Sequence, residues 1–287
     1  MKKLLALILA SALSLVLISC TATGDTTNDK LPSENNETSG NTQGEITISE
    51  QVIFDKNGIK VTAKGLNKDG FWGPEIKLLI ENSSSESIGI SAEHLSVNGM
   101  MMDNIFSEEI ASGKKANSSI SFYTSALEEA DITIIKDIEF ILNIYNSHTY
   151  ETILRSDPIC LTTSADTSFV QTFDSTGTVA YDANDIKVIV RKLNSSESFW
   201  GADVYLYIEN NSTKNIIIQA NDVSINGFMI EPYFSCDIIA GKKALDTITF
   251  METDLEENNI IDITDIELTL RLIEMDSWET LTESDSF

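Results

Sequence analysis

The sequence predicts an all-β chain built from two tandem antiparallel β-sandwiches. Three observations predict it. One long segment recurs at a constant offset, short runs alternate apolar and polar residues with period two, and clusters of Asn, Ser, Asp and Gly separate those runs.

From the N-terminus, residues 1–20 carry two lysines, Lys2 and Lys3, then a largely apolar stretch from Leu4 to Ile18 that ends in Leu17-Ile18-Ser19-Cys20. The apolar run is short for a membrane span, which needs about 20 residues. The ordered series of basic start, apolar run and small residue before cysteine resembles the lipobox of bacterial lipoprotein signal peptides. That resemblance implies that Cys20 becomes the mature N-terminus and carries a diacylglycerol thioether. Residues 21–45 are rich in Thr, Asn, Ser, Glu and Gly and nearly free of large apolar side chains. Such a segment cannot bury a core and is expected to be a flexible, disordered linker.

The repeat follows. Phe71-Trp72-Gly73 recurs as Phe199-Trp200-Gly201, Ile80-Glu81-Asn82 as Ile208-Glu209-Asn210, Asn98-Gly99 as Asn226-Gly227, and Gly113-Lys114-Lys115-Ala116 as Gly241-Lys242-Lys243-Ala244. From Phe71 to Asp157 the alignment holds without a gap at an offset of 128, with 37 identities in 87 positions. Each copy is too long for a solenoid unit and long enough to hold its own core. The expected domains are 46–163 and 168–287.

Within a copy, Ile59–Ala63, Ile76–Ile80, Ile120–Phe122 and Ile138–Tyr145 read as strands, and so do Ile186–Val190, Val204–Ile208 and Ile266–Leu272. Asn98-Gly99 and Asn226-Gly227 sit between short apolar runs and supply the two positive φ angles of a tight hairpin turn. One or two helical turns are expected near Ala126–Ala130 and again near Asp254–Asn258. Several short strands in about 110 residues fit a sandwich without the Cys…Trp…Cys spacing of antibody domains. The succession of strand, Phe-Trp-Gly, strand ending Ile-Glu-Asn, Asn-Gly hairpin and Gly-Lys-Lys-Ala resembles the immunoglobulin-like domains of unknown function on surface lipoproteins of Gram-positive bacteria. The resemblance implies an extracellular, non-enzymatic β-sandwich and assigns no activity.

Composition narrows the partners. Formal net charge is −26, with −8 in residues 46–158 and −15 in 174–287. An acidic surface repels phosphate backbones and anionic lipid, so nucleic acid is excluded as a partner and membrane attachment is left to the lipid on Cys20. Besides Cys20 the chain has Cys160 and Cys236, and Cys236 aligns with Glu108, so the copies share no disulfide framework. Both are expected to be free or buried thiols, with a bridge between domains as the other reading.

Candidate contact residues come from the motifs. Phe71, Trp72, Phe199 and Trp200 follow polar loops; aromatics there either stack on a ligand or cap the core. Lys114, Lys115, Lys242 and Lys243 either meet an anion or form a solvated turn, and they lack the spacing of a phosphate-binding loop. No metal ligand set is expected: His94 and His148, aligned with Asp222 and Asp276, have no zinc spacing, and no EF-hand loop is present. No catalytic residues, no cofactor and no enzyme activity are expected. The resulting reading is a lipid-anchored protein on the extracytoplasmic face of the cell membrane with a non-catalytic role in binding, adhesion or envelope support, its partner a wall polymer, glycan or envelope protein. Two rivals stand beside it. A wall or glycan hydrolase would be favoured by buried carboxylates or a His–carboxylate pair in a cleft. A solute-binding lipoprotein would need long helices that the sequence lacks.

Overall fold

The computed structural model describes residues 45–195 and 200–287. Cys20, the signal segment, nearly all of the linker and Phe199 lie outside the described residues. In the first copy the elements are β1 (Gln51–Lys56), β2 (Ile59–Asn67), β3 (Glu75–Asn82), β4 (Ile88–Val97), β5 (Met100–Met101), β6 (Asn104–Ile105), β7 (Ser107–Ile110), β8 (Lys114–Phe122), α1 (Thr124–Glu129), β9 (Asp137–Asn146), β10 (Thr152–Arg155) and β11 (Ile159–Thr162). The second copy repeats all but β6 and β11, as β12 (Thr178–Ala183), β13 (Ile186–Asn194), β14 (Gly201–Asn210), β15 (Ile216–Ile225), β16 (Phe228–Met229), β17 (Ser235–Ile238), β18 (Lys243–Met251), α2 (Glu252–Glu257), β19 (Ile266–Glu274) and β20 (Thr280–Glu283).

Alternation decides which face is buried. Ile76, Leu78 and Ile80 of β3, and Ile138, Phe140, Leu142 and Ile144 of β9, point inward from the two facing sheets of the first core. Val204, Leu206 and Ile208 of β14, with Leu268, Leu270 and Leu272 of β19, do the same in the second. Each such side chain contributes about 1.5–3 kcal/mol by leaving water. In the first copy β1-β2-β3-β8-β6 form one sheet, while β9 lies between β4 and β10 in the other. The chain crosses between sheets from β3 to β4 and again from β8 to β9, and the crossing strands pair, β3 with β8 and β4 with β9. This Greek key is the arrangement of an immunoglobulin-like sandwich, and the second copy repeats it with β14, β15, β18 and β19.

The repeated asparagines hold loops. Asn82 and Asn210 are fully buried at strand ends. The Asn82 amide donates to the carbonyls of Glu86 and Ile110, and the Asn210 amide donates to those of Lys214 and Ile238. Their side-chain oxygens accept from Ser84 and Ser212. Asn98 and Asn226 turn their hairpins at φ 52° and 50°, followed by Gly99 and Gly227 at 84° and 81°. Their side chains also accept from the backbone where β9 and β19 begin, Lys136 and Asp137 in one copy and Thr264 and Asp265 in the other. His94 and its aligned Asp222 both sit at positive φ within a bulge of β4 and β15, so a short polar residue that tolerates this region recurs there for backbone reasons.

The copies are joined. Met100 of β5 pairs in parallel with Lys243 of β18, and the Lys243 amide donates to the Gly99 carbonyl at 2.9 Å. One ten-stranded sheet therefore contains strands of both copies. Ile189 and Tyr207, on the outward face of the second copy, are buried with the first core. Lys242 forms a 3.0 Å ion pair with Glu139. The junction is fastened to the first copy: Lys136 donates to the carbonyls of Thr167 and Phe169, and Asn98 reaches Gln171.

Candidate functional site

The glycine of Phe-Trp-Gly explains the aromatics. Gly73 has φ 146°, and a Cβ on it would lie 2.4 Å from the Phe122 carbonyl oxygen; Gly201 has φ 141° and would clash with the Phe250 oxygen at 2.2 Å. The loop must press against the end of β8, or of β18, with the Thr124 amide donating to the Trp72 carbonyl and the Glu252 amide to that of Trp200. Only glycine permits that approach. The side chains just before it are consequently turned outward. Phe71 is 90% exposed, Trp72 52% and Trp200 61%. These tryptophans are not core residues, and the capping alternative reduces to contacts at the surface. Phe71 meets Trp72 edge-on at 4.9 Å, and Trp72 meets Tyr123 at 6.1 Å. The result is an exposed aromatic cluster at one end of the first sandwich.

Tyr123 also stands at the edge of a cleft of about 780 Å³ formed between the copies. One wall is His94, the Met100–Met102 segment, Asp103 and Asn104 with the start of α1; the other is Cys236, Asp237, Ala244 and Asp246 from β17 and β18. Burial raises the Asp246 carboxyl above its ordinary value. Bonds from the Thr247 amide and the Cys236 thiol oppose this, while nearby Asp103 and Asp237 reinforce it. Burial also raises Asp237, against the pull of His94. Burial and then the Asp246 charge push the Cys236 thiol well up, which keeps it protonated and a poor nucleophile. Among the described residues no group of three His, Cys, Asp or Glu side chains could hold a metal ion. The cleft thus presents acceptors for hydroxyl or amine groups beside an aromatic platform.

The lysine pairs lie apart from this cleft's carboxylates. Lys114 is exposed and Lys115 is paired with Glu81. Lys242 and Lys243 are taken up by the joint between copies, through Glu139 and Gly99. Cys160 is exposed and Cys236 buried, and both are free thiols. Sequence reasoning missed Tyr123, Asp103, Asp237 and Asp246. They align with Met251, Glu231, Glu109 and Ser118, so the acidic character recurs at two of the positions but not at Tyr123 or Asp246, and the cleft exists only where unlike parts of the two copies meet.

No family model matches the chain. No curated protein matches it either. Among solved structures it is similar to the crystal structure of the YadV chaperone, with 10% identity over 73% of this chain and 90% of that chain and a TM-score of 0.23. A likeness at that score carries no argument about role.

Proposed function

We propose that the protein is a lipid-anchored binding protein of the extracytoplasmic face, non-catalytic, whose ligand is an uncharged polysaccharide. The observation that carries this is Tyr123, which lines a cleft together with Asp103, Asn104, Asp237 and Asp246 and meets the exposed Trp72, itself edge-on to Phe71. Sugar rings present apolar faces that stack on aromatics and hydroxyls that donate to carboxylates. A chain with net charge −26 repels anionic polymers, which leaves neutral ones as the better fit. Trp200 repeats the exposed aromatic on the second copy, so a polymer with many equivalent units would gain avidity from two weak sites. Native gels cast with a neutral glucan test the reading. Retarded migration in glucan, absent in gels cast with a polyanion, is expected; equal mobility in all gels contradicts it. Anchoring is tested separately: Cys20→Ala is expected to abolish palmitate labelling, and labelling equal to wild type contradicts the lipobox reading.

A second reading is favoured by one observation, the facing of His94 and Asp237 across the cleft beside the raised Asp246 carboxyl. A carboxyl raised by burial beside an imidazole is the kind of group that general acid catalysis of glycoside cleavage uses. Release of reducing ends from the bound glucan, lost in Asp246→Asn, would replace the binding reading with this one; the proposal above predicts no release.

A further inference from the structure

The joint between the copies uses parts that both copies own. One half is the hairpin of the first copy, Gly99, Met100 and Met101, with Glu139 beside it; the other half is the edge of β18 at Lys242 and Lys243, which donates to Gly99 and Glu139. The second copy has the same hairpin half at Gly227, Phe228 and Met229, with Glu267 in the place of Glu139. The first copy has the same edge half at Lys114 and Lys115 of β8. Within one chain these second halves do not meet. Among the described residues, β16 pairs only with β15, and β8 has no partner along its outer edge at Lys115, because β6 covers only Ser121 and Phe122.

Both surfaces carry the marks of an interface. Met100 is 1% exposed in its joint, whereas Phe228 is 47% exposed and Met229 69%. Ile261 is 93% exposed, on the segment tied to the hairpin by the bond from the Asn226 amide to the Asp262 carbonyl. Exposed apolar side chains so grouped mark contact sites. The hairpin is surrounded by the exposed carboxylates Glu231, Asp262, Asp265 and Glu267. The facing sheet of the first copy carries Lys60, Lys77, Lys114 and Lys115 on its strands β2, β3 and β8, of which Lys77 and Lys115 are already paired with Glu75 and Glu81 within the sheet. The charge complementary to the hairpin is that of Lys60 and Lys114, and Lys114 would face Glu267 as Lys242 faces Glu139.

We propose that the protein associates head to tail with a second copy of itself, the Asn226-Gly227 hairpin of one chain docking on the Lys114–Lys115 edge of the next. Such a contact joins unlike patches, so it extends into chains or closes into rings rather than stopping at a two-fold dimer. It would place successive aromatic clusters at a regular spacing on the cell surface.

The pairing of Met100 with Lys243 defines the test. Two full-length chains carrying Cys20→Ser and Cys160→Ser, one with Phe228→Cys and one with Lys115→Cys, are tagged differently, held in detergent and mildly oxidised. A mixed disulfide dimer is expected only when both are present. Its absence, or equal yield when Val170→Cys replaces Lys115→Cys, overturns the proposal. Sedimentation of the chain without introduced cysteines gives an independent reading. The average mass is expected to rise with concentration to about twofold or more above the monomer. It should stay monomeric in Phe228→Ser/Met229→Ser, whose melting point should match the parent because both side chains lie at the surface. A parent that remains monomeric throughout, or a double variant that associates as the parent does, contradicts it.

Discussion

The hairpins at Asn98-Gly99 and Asn226-Gly227 turn with nearly the same backbone angles, and yet one is buried in a joint while the other faces solvent. The sheet faces opposite them differ in side chains more than in exposure. Tyr207 and Ile189 of the second copy are buried against the first core, whereas their aligned residues in the first copy are the half-buried Leu79 and the small, buried Thr62. Duplication gave both copies one set of surfaces, and placing one beside the other used half of each set. What differs between the copies is therefore explained by position in the chain, and what is shared, such as the outward tryptophans, is explained by the fold of a single copy.

Substitution at Tyr207 should break that comparison most visibly. Its ring is buried and its hydroxyl donates to Glu209 at 2.7 Å, with burial first and the Glu209 bond second pushing the phenol well above its usual range. Tyr207→Ala is expected to cost about 3–5 kcal/mol, while Leu79→Ala costs markedly less. Urea midpoints for the pair decide this, and equal losses would mean that the joint contributes nothing. The glycines should behave alike instead. Gly73→Ala and Gly201→Ala are each expected to cost about 1–3 kcal/mol through strain and the backbone clash. A large loss in one copy and none in the other would show that the two loops differ.

Acid sharpens the contrast between a sandwich end and the cleft. Glu75 is held at about 2 by Lys77 first, and by Ser119 and Asn67. Because its folded value is depressed, its contribution is present above the ordinary value of 4.5 and is lost as pH falls from there toward about 2. Asp237 and Asp246 are raised, so their ionisation costs stability, and that cost disappears as pH falls through their raised values. Thermal melts from pH 6 down to pH 2 are expected to show a shallower acid loss in Glu75→Gln than in the parent, and a lower stability at neutral pH in the parent than in Asp246→Asn. Identical acid limbs in Glu75→Gln and the parent would contradict the first expectation.

Much of the sandwich was legible because its core strands alternate cleanly. The runs at Ile76–Ile80 and Ile138–Tyr145 lie within β3 and β9, and the helical turns appear as α1 and α2. Ile59–Ala63 was legible and lies within β2, but its edge partner β1 was not, although Asn57-Gly58 turns the hairpin at φ 53° and 78°, since β1 is mostly exposed and carries little alternation. Phe-Trp-Gly was legible as a motif but not in its orientation. The reason lies in Phe122 and Phe250, distant in sequence, whose carbonyl oxygens exclude a side chain at the glycine. The cleft was illegible for a deeper reason: a repeat shows what two copies share, and Tyr123 of the first copy comes beside the hydrogen-bonded Asp246 and Cys236 of the second only through the parallel contact that one copy makes with the other.

The smallest expected effect on stability bears most directly on the central claim, that the outward aromatics serve binding and not the fold. Trp72 and Trp200 are exposed, so Trp72→Ala and Trp200→Ala should each change stability by no more than about 0.5 kcal/mol. The decisive measurement is retention of the double variant on a neutral glucan, taken beside its urea midpoint. Retention lost at an unchanged midpoint is the predicted result. Retention equal to the parent in a folded double variant, or a midpoint that falls before binding does, would contradict it.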